Sequence, residues 1–250
     1  MPSLKTPLHP SKNPRSRLVP RLTELSRRKV AAFDFDGTLS KSDTLIPFLL
    51  RVTGRSRFAQ IAAEVGVSGL RRNVDLRDRD AIKAEMIHRS MCGRREQDLQ
   101  HLGNLYARDL LVNELNPTVL QRLEQHRDAG HELLFVSASL TYYLEPLAQE
   151  LGVTAVIAVE PSVEYGLLTG QMEFPNVRAE QKALRLRTWL GQPALGPMKN
   201  LELWSYGNSS GDHALLAMAD HAYWLGKSSK TPSGASVMIP SAAPFDTAEQ

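Results

Sequence analysis

Cysteine is nearly absent from this 250-residue chain, where Cys92 stands alone. An intramolecular disulfide is therefore excluded, and a thiolate-held metal cluster has too few ligands. Long apolar runs are missing as well. No stretch approaches the roughly 18 consecutive apolar residues that span a bilayer. The first residues lack the apolar block of a secretory signal, so the cytoplasm is the expected location. The body also lacks excess positive charge. Residues 1–29 hold eight Lys or Arg against Glu24, a surplus of seven, which leaves −4 for the rest of a chain whose total is +3. A mildly acidic body argues against nucleic acid as the core's partner, since such proteins carry a basic face of their own.

What is present is an ordinary globular composition, with 42% apolar residues and a mean hydropathy of −0.28. Residues 1–28 place Pro2, Pro7, Pro10, Pro14 and Pro20 among basic and polar neighbours, which predicts a disordered tail. Attachment to an anionic surface and organelle targeting stay open as roles for it. Residues 229–250, rich in Ser, Pro and Ala, are expected to fray. Between the ends, four apolar runs read as buried strands: Val30–Phe33, Leu133–Val136, Val156–Val159 and Leu201–Tyr206, with Ala222–Leu225 a short fifth. Helical patterns separate them at about 117–128, 141–151, 179–190 and 212–219. The pattern predicts an α/β fold, a doubly wound parallel sheet. About 100 residues separate the first two strands, far beyond a simple crossover of about 30. The excess, 44–116, has helical patterns, including the Leu99, Leu102, Tyr106, Leu110 stripe. It predicts a small helical cap over the strands' carboxyl ends, with the core formed by 29–43 and 117–228.

The residues that follow the strands carry the chemistry. Asp34 and Asp36 lie just past the first strand, and a period of two sends both carboxylates to one side. An acidic turn explains Gly37 but not an ionisable Asp34 abutting a buried run. Two such carboxylates suit a hard cation such as Mg²⁺. Ser137 follows the second strand, Lys182 sits in the helix after 178, and Gly207-Asn208-Ser209-Ser210-Gly211-Asp212 follows the fourth strand. Each has a structural alternative: Ser137 as a helix cap, Lys182 on a solvated face, Asp212 as an N-cap. Together, at successive strand ends, they point to one site.

The Asp34-Phe35-Asp36-Gly37-Thr38 box, Ser137, Lys182 and the Gly-Asn-x-x-Gly-Asp loop resemble the four motifs of the haloacid dehalogenase-like hydrolase superfamily, over about residues 29–226. The inserted helices resemble the cap of its phosphoserine-phosphatase-like branch, subfamily IB. The resemblance implies a Mg²⁺-dependent phosphatase for a small phosphorylated substrate. Asp34 would be the nucleophile and Asp36 the general acid–base. Ser137, Lys182, Gly37 and Thr38 would bind phosphate. Asp34, Asp36, Asn208 and Asp212 would hold the metal. Asn208 departs from the common pattern, because many relatives carry an aspartate there. In the cap, Asp43 would meet a substrate amine, and Arg79 or Lys83 a substrate carboxylate; capping of the helix from Leu45 explains Asp43 equally well. Val177 replaces a cysteine frequent in phosphoserine enzymes. Phosphoryl transfer to an alcohol, and a non-catalytic protein that binds a phosphorylated ligand or partner, remain as alternatives. Oligomeric state is not legible.

Overall fold

The computed structural model describes residues 27–71, 79–192 and 200–238. Most of the expected basic tail lies outside those residues, as do 239–250. Arg28 is inside them, and it is not part of a tail. It opens β1 (Arg28–Phe33), and its guanidinium grips Glu132 in two hydrogen bonds of 2.6 and 2.9 Å. Val30 to Phe33 are completely buried, as an apolar run covered on both faces requires.

Four helices follow: α1 (Leu45–Thr53), α2 (Arg55–Arg71), α3 (Arg79–Met91) and α4 (Glu96–Asn113). The chain enters and leaves this insertion side by side. Lys41 N donates to the Glu114 carbonyl at 2.8 Å, and Asn116 N to that of Leu39 at 2.8 Å. Then come α5 (Pro117–Asp128), β2 (Glu132–Leu140), α6 (Thr141–Leu151) and β3 (Ala155–Val159). Asn116 caps α5 by accepting from Thr118 N, with Pro117 in the first turn where its missing N–H costs nothing. Gly103 of α4 lies against α6, where a Cβ would run into the Tyr142 carbonyl. The remainder is β4 (Pro161–Glu164), β5 (Leu167–Met172), α7 (Glu180–Leu190), β6 (Leu201–Gly207), α8 (His213–Ala217), β7 (His221–Trp224) and β8 (Ser236–Val237).

Six strands form one parallel sheet in the order β3-β2-β1-β6-β7-β8. The chain moves outward on one side of β1 and then returns to build the other side. This is the switch point at whose carboxyl edge ligands bind in open α/β sheets. The expected doubly wound α/β fold is what the structure has. It adds two features. β4 and β5 form a separate antiparallel hairpin, and β8 extends the sheet into residues expected to fray. Among the described residues, no helix is long and apolar enough to cross a membrane.

Under the sheet, His126 of α5 is fully buried. Its Nε2 lies 2.8 Å from the Tyr206 hydroxyl, and its Nδ1 2.7 Å from Nδ1 of His131. Burial, helped by neighbouring positive charge, pushes the His126 imidazole down to about 2; burial also lowers that of His131. Unfolded, both would titrate near 6.5. The unfolded chain thus binds more protons below that value, and stability is lost as pH falls through it. For His126 the slope approaches about 1.4 kcal/mol per pH unit. Between pH 7.5 and pH 5.5 the urea midpoint should fall further, or rise less, in the wild type than in a His126→Gln variant, and an equal change in both would contradict the neutral buried imidazole of His126.

Candidate active site

Asp34 leaves β1 with its N–H bonded to the Tyr206 carbonyl of β6 at 2.9 Å, so the sheet itself sets its position. The next residues coil into one tight turn, Phe35–Leu39, in which Gly37 takes φ = 73°. That conformation favours glycine. A Cβ there would also strike the Asn208 amide, which fixes the turn and the loop after β6 in contact.

Lys182 joins two of the expected residues. It lies in the first full turn of α7, fully buried, and its Nζ is 2.5 Å from Asp34 Oδ1 and 2.6 Å from Asp212 Oδ1. The solvated-face alternative for Lys182 is excluded. The residue before α7, Ala179, has φ = 51°, and its N–H donates to the Gly211 carbonyl at 2.9 Å. A non-glycine residue there stores about 1–3 kcal/mol of strain, here at the point that seats Lys182 against the Asp212 loop. Asp212 is buried too. Its Oδ2 accepts from Ser209 N at 2.9 Å and Ser209 Oγ at 2.9 Å, while Ser209 Oγ accepts from Gly211 N. Asp212 therefore does not cap the helix that follows it: its carboxylate turns back to the Ser209 N–H and hydroxyl, with Ser209 as the N-cap of the short turn Ser210–Asp212.

Charge is distributed unevenly over this group. Burial, and then the Asp212 charge, raise the Asp34 carboxyl to about 7 despite Lys182. Burial also pushes Asp212 upward, but the Lys182 ammonium and the Ser209 donors outweigh it and hold Asp212 below its ordinary value. Burial works against the Lys182 ammonium, and the two carboxylates more than reverse that, so it stays charged. Asp34 Oδ2 receives the Thr38 hydroxyl at 2.9 Å.

Asp36 sits half-buried in a hydroxyl clamp that sequence reasoning missed. Thr44 donates both its N–H (2.9 Å) and its Oγ1–H (2.6 Å) to Oδ1, and Ser139 Oγ donates to Oδ2. Tyr143, buried in α6, backs the clamp with its hydroxyl 3.1 Å from Thr44 Oγ1. Burial raises the Asp36 carboxyl, against the pull of Ser139 and Thr44. Ser139 owes its position to an irregular β2. The strand was expected to stop at Val136 but runs to Leu140, and its pairing with β3 shifts between those two residues. Ser137 thus lies within β2 and not past its end, buried at the cavity wall, with Oγ accepting from Ser139 N at 3.1 Å; it caps no helix. The period of two between Ser137 and Ser139 was the available signal.

A cavity of about 600 Å³ opens over these groups, bounded by Asp34, Asp36, Ser137, Lys182, Asn208 and Asp212 at its base. Asp43 and Lys83 also line it. Asp43 Oδ1 accepts from Ile46 N at 3.1 Å, the capping contact, and Lys83 Nζ donates to the Ala138 carbonyl. Burial lowers the Lys83 ammonium. Arg79 begins α3, and its side chain lies outside the described residues. At the rim, Asp80 receives Asn176 Nδ2 at 2.7 Å and Arg178 at 3.4 Å, an arrangement no local pattern announced.

The donor set fits a hard divalent cation. Two buried carboxylates share one ammonium, leaving the trio net negative, and Gly37 leaves the space in which the Asn208 amide meets the first turn. Among the described residues no three His, Cys, Asp or Glu side chains gather as a ready metal cluster. Ligation here therefore calls on the Asn208 amide or a main-chain carbonyl in addition to carboxylates.

Residues 31–217 match the family model for haloacid dehalogenase-like hydrolase. Protein CicA of Caulobacter vibrioides is 28% identical over 193 residues, 76% of this chain and 83% of that protein. A protein of unknown function from Bordetella pertussis Tohama I shares the fold, with a TM-score of 0.67, 24% identity, and coverage of 80% of this chain and 90% of that one. A probable phosphoserine phosphatase from Vibrio cholerae superposes with a TM-score of 0.54 at 17% identity, over 79% of this chain and 55% of that one.

Proposed function

Because the chain belongs to the haloacid dehalogenase-like hydrolase family, we propose that it is a cytoplasmic, Mg²⁺-dependent phosphomonoesterase for a small phosphorylated metabolite. The observation that carries this reading is the Lys182 ammonium between the Asp34 and Asp212 carboxylates at the cavity base.

In this reading Asp34 attacks phosphorus through a carboxylate oxygen, forming an aspartyl-phosphate as the ester oxygen leaves. Asp36 gives that oxygen its proton. It then takes one from the water that attacks phosphorus, which frees inorganic phosphate and restores Asp34. A carboxyl raised by burial suits a group that must arrive protonated. Thr44 and Ser139 hold it in one orientation. Lys182, Ser137 and the Gly37-Thr38 turn offset charge on the phosphoryl oxygens as the transition state forms. Asp34, Asp212, the Asn208 side chain and the Asp36 carbonyl would hold Mg²⁺. When bound, it supplies positive charge that lets an anionic nucleophile approach an anionic phosphate. Helices α1 to α4 act as the cap, contributing Lys83 and Arg79 to the substrate's side of the site, where Asp43, just before α1, joins them.

Hydrolysis of p-nitrophenyl phosphate with and without Mg²⁺ tests the reading. Turnover that rises with Mg²⁺ and disappears with chelator is expected; no Mg²⁺-stimulated turnover would leave only binding of a phosphorylated ligand. Asn208 gives a second test, because its amide oxygen can ligate but brings no charge. Asn208→Asp should leave the Mg²⁺ concentration for half-maximal rate unchanged or lower it by up to about tenfold. A higher requirement would show that Asn208 stands elsewhere than at the metal.

A further inference from the structure

The base of the cavity is polar, but the inserted helices add a patch of four aliphatic side chains to its wall, beside Asp80 and Lys83. Leu45 and Ile46 come from the start of α1, and Ile82 and Met86 from positions four apart on α3, hence one face of that helix. Leu45 and Met86 are buried, Ile82 is half-buried, and Ile46 keeps 44% of its surface open beside the cavity. A half-exposed isoleucine continuous with buried aliphatic neighbours is apolar surface still available to cover.

Among the described residues, each charged group on that side already has at least one protein partner. Lys83 donates to the Ala138 carbonyl, Asp43 accepts the Ile46 amide, and Asp80 holds Asn176 and Arg178. An amino-acid leaving group would bring an ammonium and a carboxylate into this space, and each loses water on entry unless a free partner meets it. An alkyl chain needs no such partner and gains with every methylene it covers. Resting on the phosphatase reading above, we propose that the leaving group is an aliphatic alcohol, so that the substrates are phosphate monoesters of alkyl chains seated against Leu45, Ile46, Ile82 and Met86. Phosphoserine is then a poor substrate, although the fold is shared with phosphoserine phosphatases.

Initial rates on methyl, ethyl, propyl and butyl phosphate and on O-phosphoserine, all with Mg²⁺, decide between the two. The expected kcat/KM rises about fourfold with each methylene, and phosphoserine falls at least about tenfold below butyl phosphate. Ile46→Ser and Ile82→Ser should each shrink the butyl-to-methyl ratio. A flat alkyl series, or phosphoserine ahead of butyl phosphate, overturns the aliphatic assignment while hydrolysis of p-nitrophenyl phosphate still upholds the phosphatase. Calorimetric binding of butylphosphonate against methylphosphonate, in the same Mg²⁺ buffer, reads the wall without any turnover. Tighter butylphosphonate binding by a protein that hydrolyses no ester supports the aliphatic site and overturns the phosphatase alone. Equal binding of the two phosphonates overturns the aliphatic site.

Discussion

Asp34→Asn is expected to lower Mg²⁺-dependent hydrolysis of p-nitrophenyl phosphate by at least about a thousandfold, a loss in the range seen when a nucleophile is removed. The amide is nearly the same size, so the β1 end, the Thr38 contact and the cavity should survive. What disappears is the oxygen that can form a bond to phosphorus. The same change should not weaken the fold. In the wild type the Asp34 carboxyl is raised to about 7, by burial first and by Asp212 second. A raised carboxyl binds its proton more tightly folded than unfolded, so ionising it costs stability as pH climbs from about 4 through 7. Asn carries no such cost, and Lys182 keeps Asp212 as its partner at 2.6 Å. Urea midpoints at pH 8 should therefore be equal or higher for the variant while its turnover is lost. Stability exchanged for activity in this way marks a residue kept for chemistry. Near wild-type rates for Asp34→Asn would remove it as the nucleophile.

Much of this arrangement was legible in the sequence because it depends on short-range patterns. Val30–Phe33 is an unbroken apolar run, and a carboxylate directly behind it marks a strand end whatever the remaining fold. The helical insertion was visible because Leu99, Tyr106 and Leu110 repeat with a helix period, and all three are buried. Other features lie outside such patterns. The β4–β5 hairpin alternates weakly and turns at Tyr165 and Gly166, with φ = 52° and 76°, where Gly166 alone, without a patterned strand on either side, is too weak a signal. Two-residue β8 owes its place to pairing with β7 and not to its own composition. The Thr44 and Ser139 clamp forms only because the insertion's first residues fold back onto Asp36 while β2 shifts register, and neither event has a local signature. Asp80, Asn176 and Arg178 meet across almost 100 positions. Local physics thus reveals which residues end strands, while tertiary closure decides what touches them.

Lys182→Met should be the most damaging single change to the fold itself. The methionine side chain fills nearly the same volume but carries no charge, so lost packing is not the issue. The loss is electrostatic. Asp34 Oδ1 and Asp212 Oδ1 now face one ammonium from 2.5 and 2.6 Å; without it, two carboxylates remain buried beside each other. Removing one partner of a buried ion pair costs about 3–5 kcal/mol, because the remaining charge keeps its desolvation penalty. Asp212 retains its Ser209 donors and should stay ionised; Asp34, left with Thr38, should take up a proton instead. The destabilisation is then pH-dependent in a defined direction. Protonating Asp34 relieves the repulsion, so the gap between wild type and variant should be smaller at pH 5.5 than at pH 8. Millimolar Mg²⁺ should narrow the gap at pH 8 as well, by supplying a cation to the same two carboxylates. A Lys182→Met protein as stable as wild type at pH 8 without Mg²⁺ would mean that the ammonium does not hold this pair together. Recovery by Lys182→Arg of stability but not of turnover would instead separate the charge from the exact reach of Nζ to phosphate.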